Sequence, residues 1–371
     1  MTDSLIEDSA ARFFADHVDK GMRERAETGS LNEPLWQRAV DSGFTTALAS
    51  EGSGGSGQTW SAAYPLLRGL GYWQAPLPLA ETIIGAMLLS MAGMAVPDGP
   101  ITLIEQGQGN DLHAVCSDGQ AGALLIKGTA HRVPWARVCG TVLVSLNAEH
   151  GSGQIALVSL RANPAVSIQA QSNHAGLASD SLVFDNASCL AQAPSPLALA
   201  HPVWSLGAVA RSAMLVGALE WVLEQSARYA GERVQFGKPI GGNQAIQQQL
   251  ALLAGDVAAA RVAALVAAAD APSSGQHDCS ATTFSTAVAK VRCGEAATRA
   301  AAIAHQVHGA IGFTHEHPLH FATRRLWAWR EEFGSDAWWA QRLGRAAIAS
   351  RSAAFWPAIT RRWFDDEPGT G

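Results

Sequence analysis

The sequence predicts an α+β protein in which two helical regions enclose a β-rich middle. Residues 1–100 and 196–371 carry apolar side chains at three- and four-residue spacing, the period of an amphipathic helix. Residues 101–195 instead contain short runs of Val, Ile, Leu and Thr separated by Gly, Asn, Asp or Ser, a pattern typical of antiparallel strands. We therefore expect an N-terminal helical domain (1–100), a β-barrel-like domain (101–195) and a C-terminal four-helix bundle (196–371).

The N-terminal domain is expected to hold four helices. Ser4 is placed to cap the first helix. A second helix covers residues 31–42 and ends at Gly43, which has the position of a C′ glycine. A third covers residues 59–72, and a fourth follows the turn at 75–81.

The loop before the third helix contains a glycine fingerprint. Residues 52–57 satisfy the spacing G-x-G-x-x-G, which in dinucleotide-binding domains follows a strand and opens a βαβ unit. A helical pattern surrounds this loop and no parallel crossover follows it. We therefore interpret it as a flexible loop.

Six strands and four long helices are expected in the other two domains. The strands are placed at residues 101–104, 123–126, 141–146, 154–160, 166–170 and 181–184. The helices are placed at residues 204–231, 244–271, 280–309 and 318–351. Their many alanines favour a bundle with close helix packing.

Composition excludes several classes of protein. A net charge of −6 argues against a nucleic-acid binder, which would present a basic face. Five cysteines without a Cys-x-x-Cys pair indicate a reducing compartment. The N-terminus lacks the pattern of a secretion signal, and no uninterrupted apolar run reaches membrane-spanning length. We expect a cytoplasmic protein with no membrane span and no nucleic-acid partner.

The first motif is Arg-Val-Gln-Phe-Gly-Lys-Pro-Ile at residues 233–240, followed by Gln244. The guanidinium of Arg233 can fork onto phosphate oxygens, and Phe236 with Gly237 ends the preceding helix. The alternative is an arginine that stabilises a helix C-terminus through the dipole, followed by a glycine stop.

The second motif is Gln-Val-His-Gly-Ala-Ile-Gly at residues 306–312. Gly309 and Gly312 let the backbone approach a ligand closely or turn at positive φ. The alternative is an ordinary glycine-terminated helix end.

Together with the domain order, the two motifs resemble the C-terminal domain of acyl-CoA dehydrogenases. The resemblance covers the whole chain, although its specific motifs lie in the last domain. It implies FAD as cofactor, with the adenosine and pyrophosphate half held across a subunit interface. The residues that it assigns to FAD are Arg233, Gln235, Phe236, Asn243, Gln244, Gln306, Val307, His308, Gly309 and Ala310.

A cluster of five histidines follows the second motif and invites a metal interpretation. His305 and His308 share a helical face, and His315, His317 and His320 follow within one turn and helix start. Metal sites usually combine histidines with carboxylate or Cys ligands on ordered elements. The sequence shows no such set of additional ligands here, and the family has no metal at this place. We therefore predict no metal site.

The catalytic base of the family is not recognisable. Many members use the Glu of a Tyr-Glu-Gly segment, and the matching residues here are Glu332, Phe333 and Gly334, with Phe333 at the Glu position. Other members place the base early in the first bundle helix, where this chain has Gly207. Glu332 serves as base only if the loop shifts by one residue; otherwise Glu331 and Glu332 are solvated surface acids.

The flavin-ring half of the family's site is also altered. The usual Thr-Glu-Pro and Gly-Ser-Asp stretches are absent around residues 105–118, and residues 128–136 only partly match the Gly-Lys-x-Trp-Ile-Thr-Asn segment. The chain therefore resembles the degenerate, FAD-sharing subunit of heteromeric bacterial acyl-CoA dehydrogenases, such as those of steroid side-chain breakdown.

The resemblance implies acyl-CoA as substrate, an electron-transfer flavoprotein as electron acceptor, and α,β-dehydrogenation as the reaction. The assembly is a heterotetramer with an intact acyl-CoA dehydrogenase subunit, or a homo-dimer or tetramer. Three alternatives stay open: a self-sufficient homomeric dehydrogenase that uses Glu332, a non-catalytic scaffold subunit, and a flavin oxygenase on the same fold.

Overall fold

The computed structural model describes residues 2–116, 124–147, 153–273, 279–349 and 352–362. Five helices form the N-terminal region: α1 (Thr2–His17), α2 (Lys20–Ala26), α3 (Glu33–Asp41), α4 (Trp60–Tyr72) and α5 (Leu79–Met91). Thr59 caps α4 by accepting the N–H of Ala62 at 3.3 Å. Gly43 adopts φ +70° directly after α3, as predicted. The first helix begins at Thr2, so the prediction of Ser4 as its cap is wrong, and α2 was not predicted.

The middle region consists of two four-stranded sheets. One has the strand order β1-β4-β5-β8 and the other β2-β3-β7-β6. The strands are β1 (Ile101–Glu105), β2 (Asp111–Cys116), β3 (Leu124–Pro134), β4 (Thr141–Leu146), β5 (Gln154–Ser159), β6 (Val166–Gln169), β7 (Ser179–Ser188) and β8 (Ala191–Pro194).

One strand pair departs from the predicted antiparallel arrangement. Strand β1 pairs with β4 in parallel, whereas the pairs of β4 with β5 and of β3 with β7 are antiparallel. Parallel neighbours need a long crossover connection, and the intervening chain supplies it by building β2 and β3 of the second sheet. Strands β2 and β8 were not predicted.

The C-terminal region is a helical bundle. It contains α6 (Pro202–Glu232), a small hairpin of β9 (Val234–Gln235) and β10 (Lys238–Pro239), α7 (Gln244–Asp270), α8 (Thr282–His308), α9 (Leu319–Glu331), α10 (Asp336–Ala349) and α11 (Ser352–Arg361). By length and apolar composition alone, α6 and α7 are long enough to span a membrane; the apolar window of α6 is 89% buried in the protein and that of α7 only 28%.

The predicted fourth bundle helix is two helices, because the chain turns sharply between α9 and α10. Phe333 and Gly334 adopt φ values of +54° and +91° there, a left-handed backbone that ends a right-handed helix. The indole N–H of Trp339 donates to the carbonyl of Phe333 at 2.9 Å and fixes the turn. The sequence does not predict this left-handed turn at Phe333, because only glycine commonly adopts such angles.

A buried lysine on α8 holds the end of α9. The ammonium of Lys290 donates to the carbonyls of Trp329, Arg330 and Glu332 at 3.1, 3.1 and 2.8 Å. The last carbonyls of a helix have no partner within the helix, so Lys290 supplies the donors that α9 lacks. Burial lowers the pKa of Lys290 to about 7.

Replacing Lys290 by Met should lower the free energy of unfolding by about 3 kcal/mol, because three buried carbonyls lose their shared donor. Chemical denaturation of the full chain measures this change. The matched control is Lys127→Met on β3, at an exposed position, where the expected change is below about 0.5 kcal/mol. Equal stability of the two variants would contradict the assigned role of Lys290.

Candidate functional site

A cavity of about 410 Å³ lies between the β-sheet region and the bundle. Its bundle side presents the aromatic rings of Trp204 and Phe333. Its sheet side is polar and includes Gln108, Asn110, His131, Arg132, Asn173 and His174. This size and mixed lining are typical of small-molecule sites.

A buried carboxyl group adjoins the cavity where β1 meets α6. Glu105 Oε2 accepts the backbone N–H of Trp204 at 3.0 Å, in the first turn of α6, where a helix favours negative charge. Burial raises the pKa of Glu105. Glu105 Oε1 lies 3.9 Å from Nδ1 of His201, so an imidazole neighbours this carboxyl oxygen. Trp204 Nε1 is buried and has no hydrogen-bond partner among the residues that the structure describes.

The two positions that carry the base elsewhere in the family lie against each other. A Cβ atom added to Gly207 would stand 2.4 Å from Cδ1 of Phe333. The ring of Phe333 also packs edge-to-face on Trp204, with centroids 6.0 Å apart. The ring of Phe333 therefore fills the space that a carboxylate at position 207 or at position 333 would occupy.

Glu332 is held in an ion-pair network. Its Oε2 accepts from Arg211 Nε at 2.6 Å, and its Oε1 accepts from Asn173 Nδ2 at 3.0 Å. Arg211 is fully buried and also pairs with Glu81 of α5. The interpretation of Glu332 as a solvated surface acid is thus wrong, because its side chain is only 11% exposed; Glu331 is exposed. Glu332 lines the cavity, and both of its carboxylate oxygens are engaged by Arg211 and Asn173.

The first motif forms an exposed hairpin at the C-terminal end of α6. Strands β9 and β10 are joined by Phe236 and Gly237 at φ +51° and +82°, a pair of left-handed residues typical of two-residue hairpins. Arg233 and Gln235 are exposed, and the side chain of Phe236 is fully exposed. Asn243 caps α7 by accepting the N–H of Ala245 at 3.0 Å. Gln244, the first residue of α7, is exposed.

The second motif forms the C-terminal end of α8. Gln306, Gly309 and Ala310 are exposed, and Gly309 turns the chain at φ +63° into a 3-10 turn. Val307 and His308 are buried, so only their backbone lies near the helix end's surface.

The two motifs lie side by side. The imidazole of His308 stacks on the ring of Tyr229, one turn before Arg233, with centroids 4.5 Å apart and an interplanar angle of 23°. The structure therefore brings together the C-terminal ends of α6 and α8, from which the two motifs start. The histidines stack on aromatic rings; among the described residues no group of three His, Cys, Asp or Glu side chains has metal-site geometry.

Comparison with known proteins agrees with this architecture. Residues 2–95 match the family model for the acyl-CoA dehydrogenase N-terminal domain, and residues 204–348 match that for the C-terminal domain. The chain therefore belongs to the acyl-CoA dehydrogenase family. It is an oxidoreductase of the type that acts on acyl-CoA.

Particular relatives come from Mycobacterium tuberculosis. The chain is 28% identical to acyl-CoA dehydrogenase FadE27 over 78% of its own length and 81% of the relative's, and 26% identical to IpdE2 over 86% and 89%. The ChsE4-ChsE5 complex of the same organism contains a chain with TM-score 0.82 and 22% identity, covering 95% of this chain and 98% of that one. The structural similarity to the chain of the ChsE4-ChsE5 complex establishes the fold of this protein.

Sequence reasoning missed the charged residues that support the cavity wall. Arg211 and Lys290 lie on buried faces of α6 and α8, where the neighbours at helical spacing are uncharged: Gly207, Ala208, Met214 and Leu215 on α6, and Thr286, Ala287, Cys293 and Gly294 on α8. A lone charge inside such an apolar helix indicates a buried partner, because an unpaired buried charge is costly. That signal was present, but it does not identify the partner.

The contact between Gly207 and Phe333 generates a double-mutant test. Gly207→Ala should destabilise the protein by about 1–3 kcal/mol, because the added methyl overlaps the ring. Adding Phe333→Ala to Gly207→Ala should cancel most of the Gly207 effect, which thermal unfolding of the four proteins measures. Additive effects of the two substitutions would show that these positions are not in contact.

Proposed function

We propose that this chain is the FAD-sharing subunit of a heteromeric acyl-CoA dehydrogenase. It presents the surface for the adenosine and pyrophosphate half of FAD to the active site of an intact partner, which dehydrogenates an acyl-CoA thioester between its α- and β-carbons. The observation that carries the proposal is the contrast between the two ends of the bundle. The end of the bundle that carries the two motifs is exposed and keeps its polar and cationic groups. Gly207 and Phe333, the two positions to which the resemblance assigns the base, are apolar and packed against each other.

The distance between the two ends of α6 supports the proposal that the flavin ring lies in a second chain. Trp204 at the cavity and Arg233 at the hairpin are separated by 29 positions along α6, or about 43 Å at the rise of an α-helix. This exceeds the length of an extended FAD molecule. A flavin whose tail lies on the hairpin therefore has its ring in another subunit, not in the cavity of this one.

The residues at the motif end fit the tail of FAD. The exposed guanidinium of Arg233 suits the pyrophosphate, the exposed ring of Phe236 offers a stacking surface, and the amide of Gln306 can donate and accept at the adenosine. Gly309 and Gly237 leave backbone open to close approach. When bound, FAD supplies the acceptor for the hydride that leaves the β-carbon.

An apolar surface on α7 supports oligomerisation. Leu252, Val262 and Leu265 are 66%, 62% and 41% exposed, on a helix whose apolar window is mostly unburied. Exposed apolar side chains on a helix that is largely uncovered favour a protein interface there. We infer a cytoplasmic heterotetramer with an intact subunit, with electrons passing to an electron-transfer flavoprotein.

Arg233→Ala should weaken FAD binding by the complex about 10–100-fold, because a charge-assisted contact to phosphate is lost. FAD content and the fluorescence of released flavin measure it on the purified complex. Arg345→Ala, at an exposed position on α10, is the control and should leave flavin content unchanged. Unchanged flavin content in Arg233→Ala would favour the scaffold alternative.

Glu332→Gln separates the shared-cofactor subunit from a self-sufficient dehydrogenase. Glutamine keeps the size of the side chain and its contact with Asn173, so turnover of the complex should stay within about threefold, while Tm falls because the pair with Arg211 loses its charge. A catalytic base predicts a loss of about 100–10,000-fold. Glu331→Gln provides the control at the neighbouring exposed carboxylate, and a selective collapse of kcat in Glu332→Gln would overturn our assignment.

A further inference from the structure

Helix α7 carries two rows of apolar residues, and the bundle covers only one of them. The covered row packs into the bundle and consists of Leu253, Val257, Ala260, Ala264 and Ala267. The other, which we call the outer row, has the alternating three- and four-residue spacing of a coiled coil and consists of Leu252, Gly255, Ala259, Val262, Val266 and Ala269. Val266 is half-buried and the other five are exposed. A helix that packs only into its own bundle carries polar residues at such positions.

A groove between α7 and α8 runs beside the outer row. Its volume is about 630 Å³, and Ala259, Val262 and Val266 of the outer row line it. Phe284 and Val288 line it from α8. A second helix laid on the outer row would therefore find apolar surface on α8 as well as on α7.

Gly255 leaves open space in the middle of the outer row. A Cβ atom added there would meet nothing within 4 Å among the described residues. Glycine inside a helix is unfavourable, because it has more conformational freedom to lose on folding and brings no side chain to pack. No contact within the described chain accounts for it, and the space above Gly255 is open to a side chain of another molecule.

The outer row is complementary to a second copy of itself. When two α7 helices run antiparallel about a two-fold axis near residues 260–261, the facing pairs are Leu252 with Ala269, Gly255 with Val266, and Ala259 with Val262. Each pair sets a larger side chain against a smaller one, which lets two helices interdigitate closely. A two-fold contact has this property, since each residue meets its facing residue twice.

The charges beside the outer row do not oppose this pairing. The three cations that border it each pair with a carboxylate of the same chain: Arg261 with Glu220 at 3.7 Å, Arg292 with Glu295 at 2.5 Å, and Arg362 with Asp270 at 2.7 Å. Two copies of the outer row therefore bring no unpaired like charges together, a juxtaposition that would weaken association.

We propose that α7 of a second copy of this chain covers the outer row in an antiparallel two-fold contact, with the groove beside α8 at its edge. The contact joins two heterodimers into the heterotetramer proposed above, and it rests on that proposal only for what it joins. It is distinct from the FAD surface, because Leu252 lies about two helical turns beyond Gln244, where the first motif ends.

Val262→Glu tests the contact on the purified complex. The mass in analytical ultracentrifugation should fall to half, because the contact would bury two carboxylates without partners. FAD per heterodimer should stay unchanged, since the FAD surface lies at the start of α7. Leu190→Glu, at a residue of the sheet region that is 61% exposed, is the matched control and should leave the mass unchanged. A complex without FAD that still loses half its mass in Val262→Glu would refute the FAD proposal and support this contact.

A disulfide identifies the chain that covers the outer row. In the Ala259→Cys, Val262→Cys double variant, mild oxidation should link two copies of this chain into a band at twice its 38.9 kDa. The unaltered chain, oxidised in the same way, controls for its native cysteines. A link to the intact subunit, no link at all, or an unchanged mass in Val262→Glu would overturn the proposal.

Discussion

The relative placement of the three regions depends on the buried guanidinium of Arg211. It joins Glu81 of the N-terminal helices to Glu332 at the end of α9, and Asn173 connects Glu332 to the sheets. Lys290 donates to the carbonyl of Glu332 in the same turn, and its lowered pKa of about 7 leaves the ammonium only partly charged near neutral pH. Arg211 pairs with both carboxylates, and this pairing is what makes the network tolerable in an apolar interior, where each ion alone would be costly.

This network holds Glu332, one residue before the position to which the resemblance assigns the base. Glu332 points to Arg211, and the next residue, Phe333, turns the chain at φ +54° and places its ring on Gly207. The guanidinium of Arg211 lies 5.3 Å from the centroid of that ring. An aromatic side chain with its own supporting contacts therefore fills the position to which the resemblance assigns the base.

The sequence was most informative where periodicity and motifs are local. Helices α4, α6, α7 and α8 follow from their apolar period. Of the two glycines proposed to turn at positive φ in the second motif, Gly309 does so at +63° and Gly312 does not. The parallel pairing of β1 with β4 depends on a crossover through another sheet, which no local pattern encodes. The break after α9 rests on a phenylalanine in a left-handed conformation. The partners of Arg211 and Lys290 come from distant parts of the chain.

The two ends of α6 differ in a way that bears on assembly. At its start, Trp204 packs on both Phe333 and Trp338, and Trp204 and Phe333 line the cavity. At its end, Phe236 stands on a hairpin tip with its ring fully exposed. Covering this ring with a ligand or another chain would be favourable, because it removes apolar surface from water. A long rigid helix that is packed at one end and uncovered at the other suits a subunit whose ligand is completed by its neighbour.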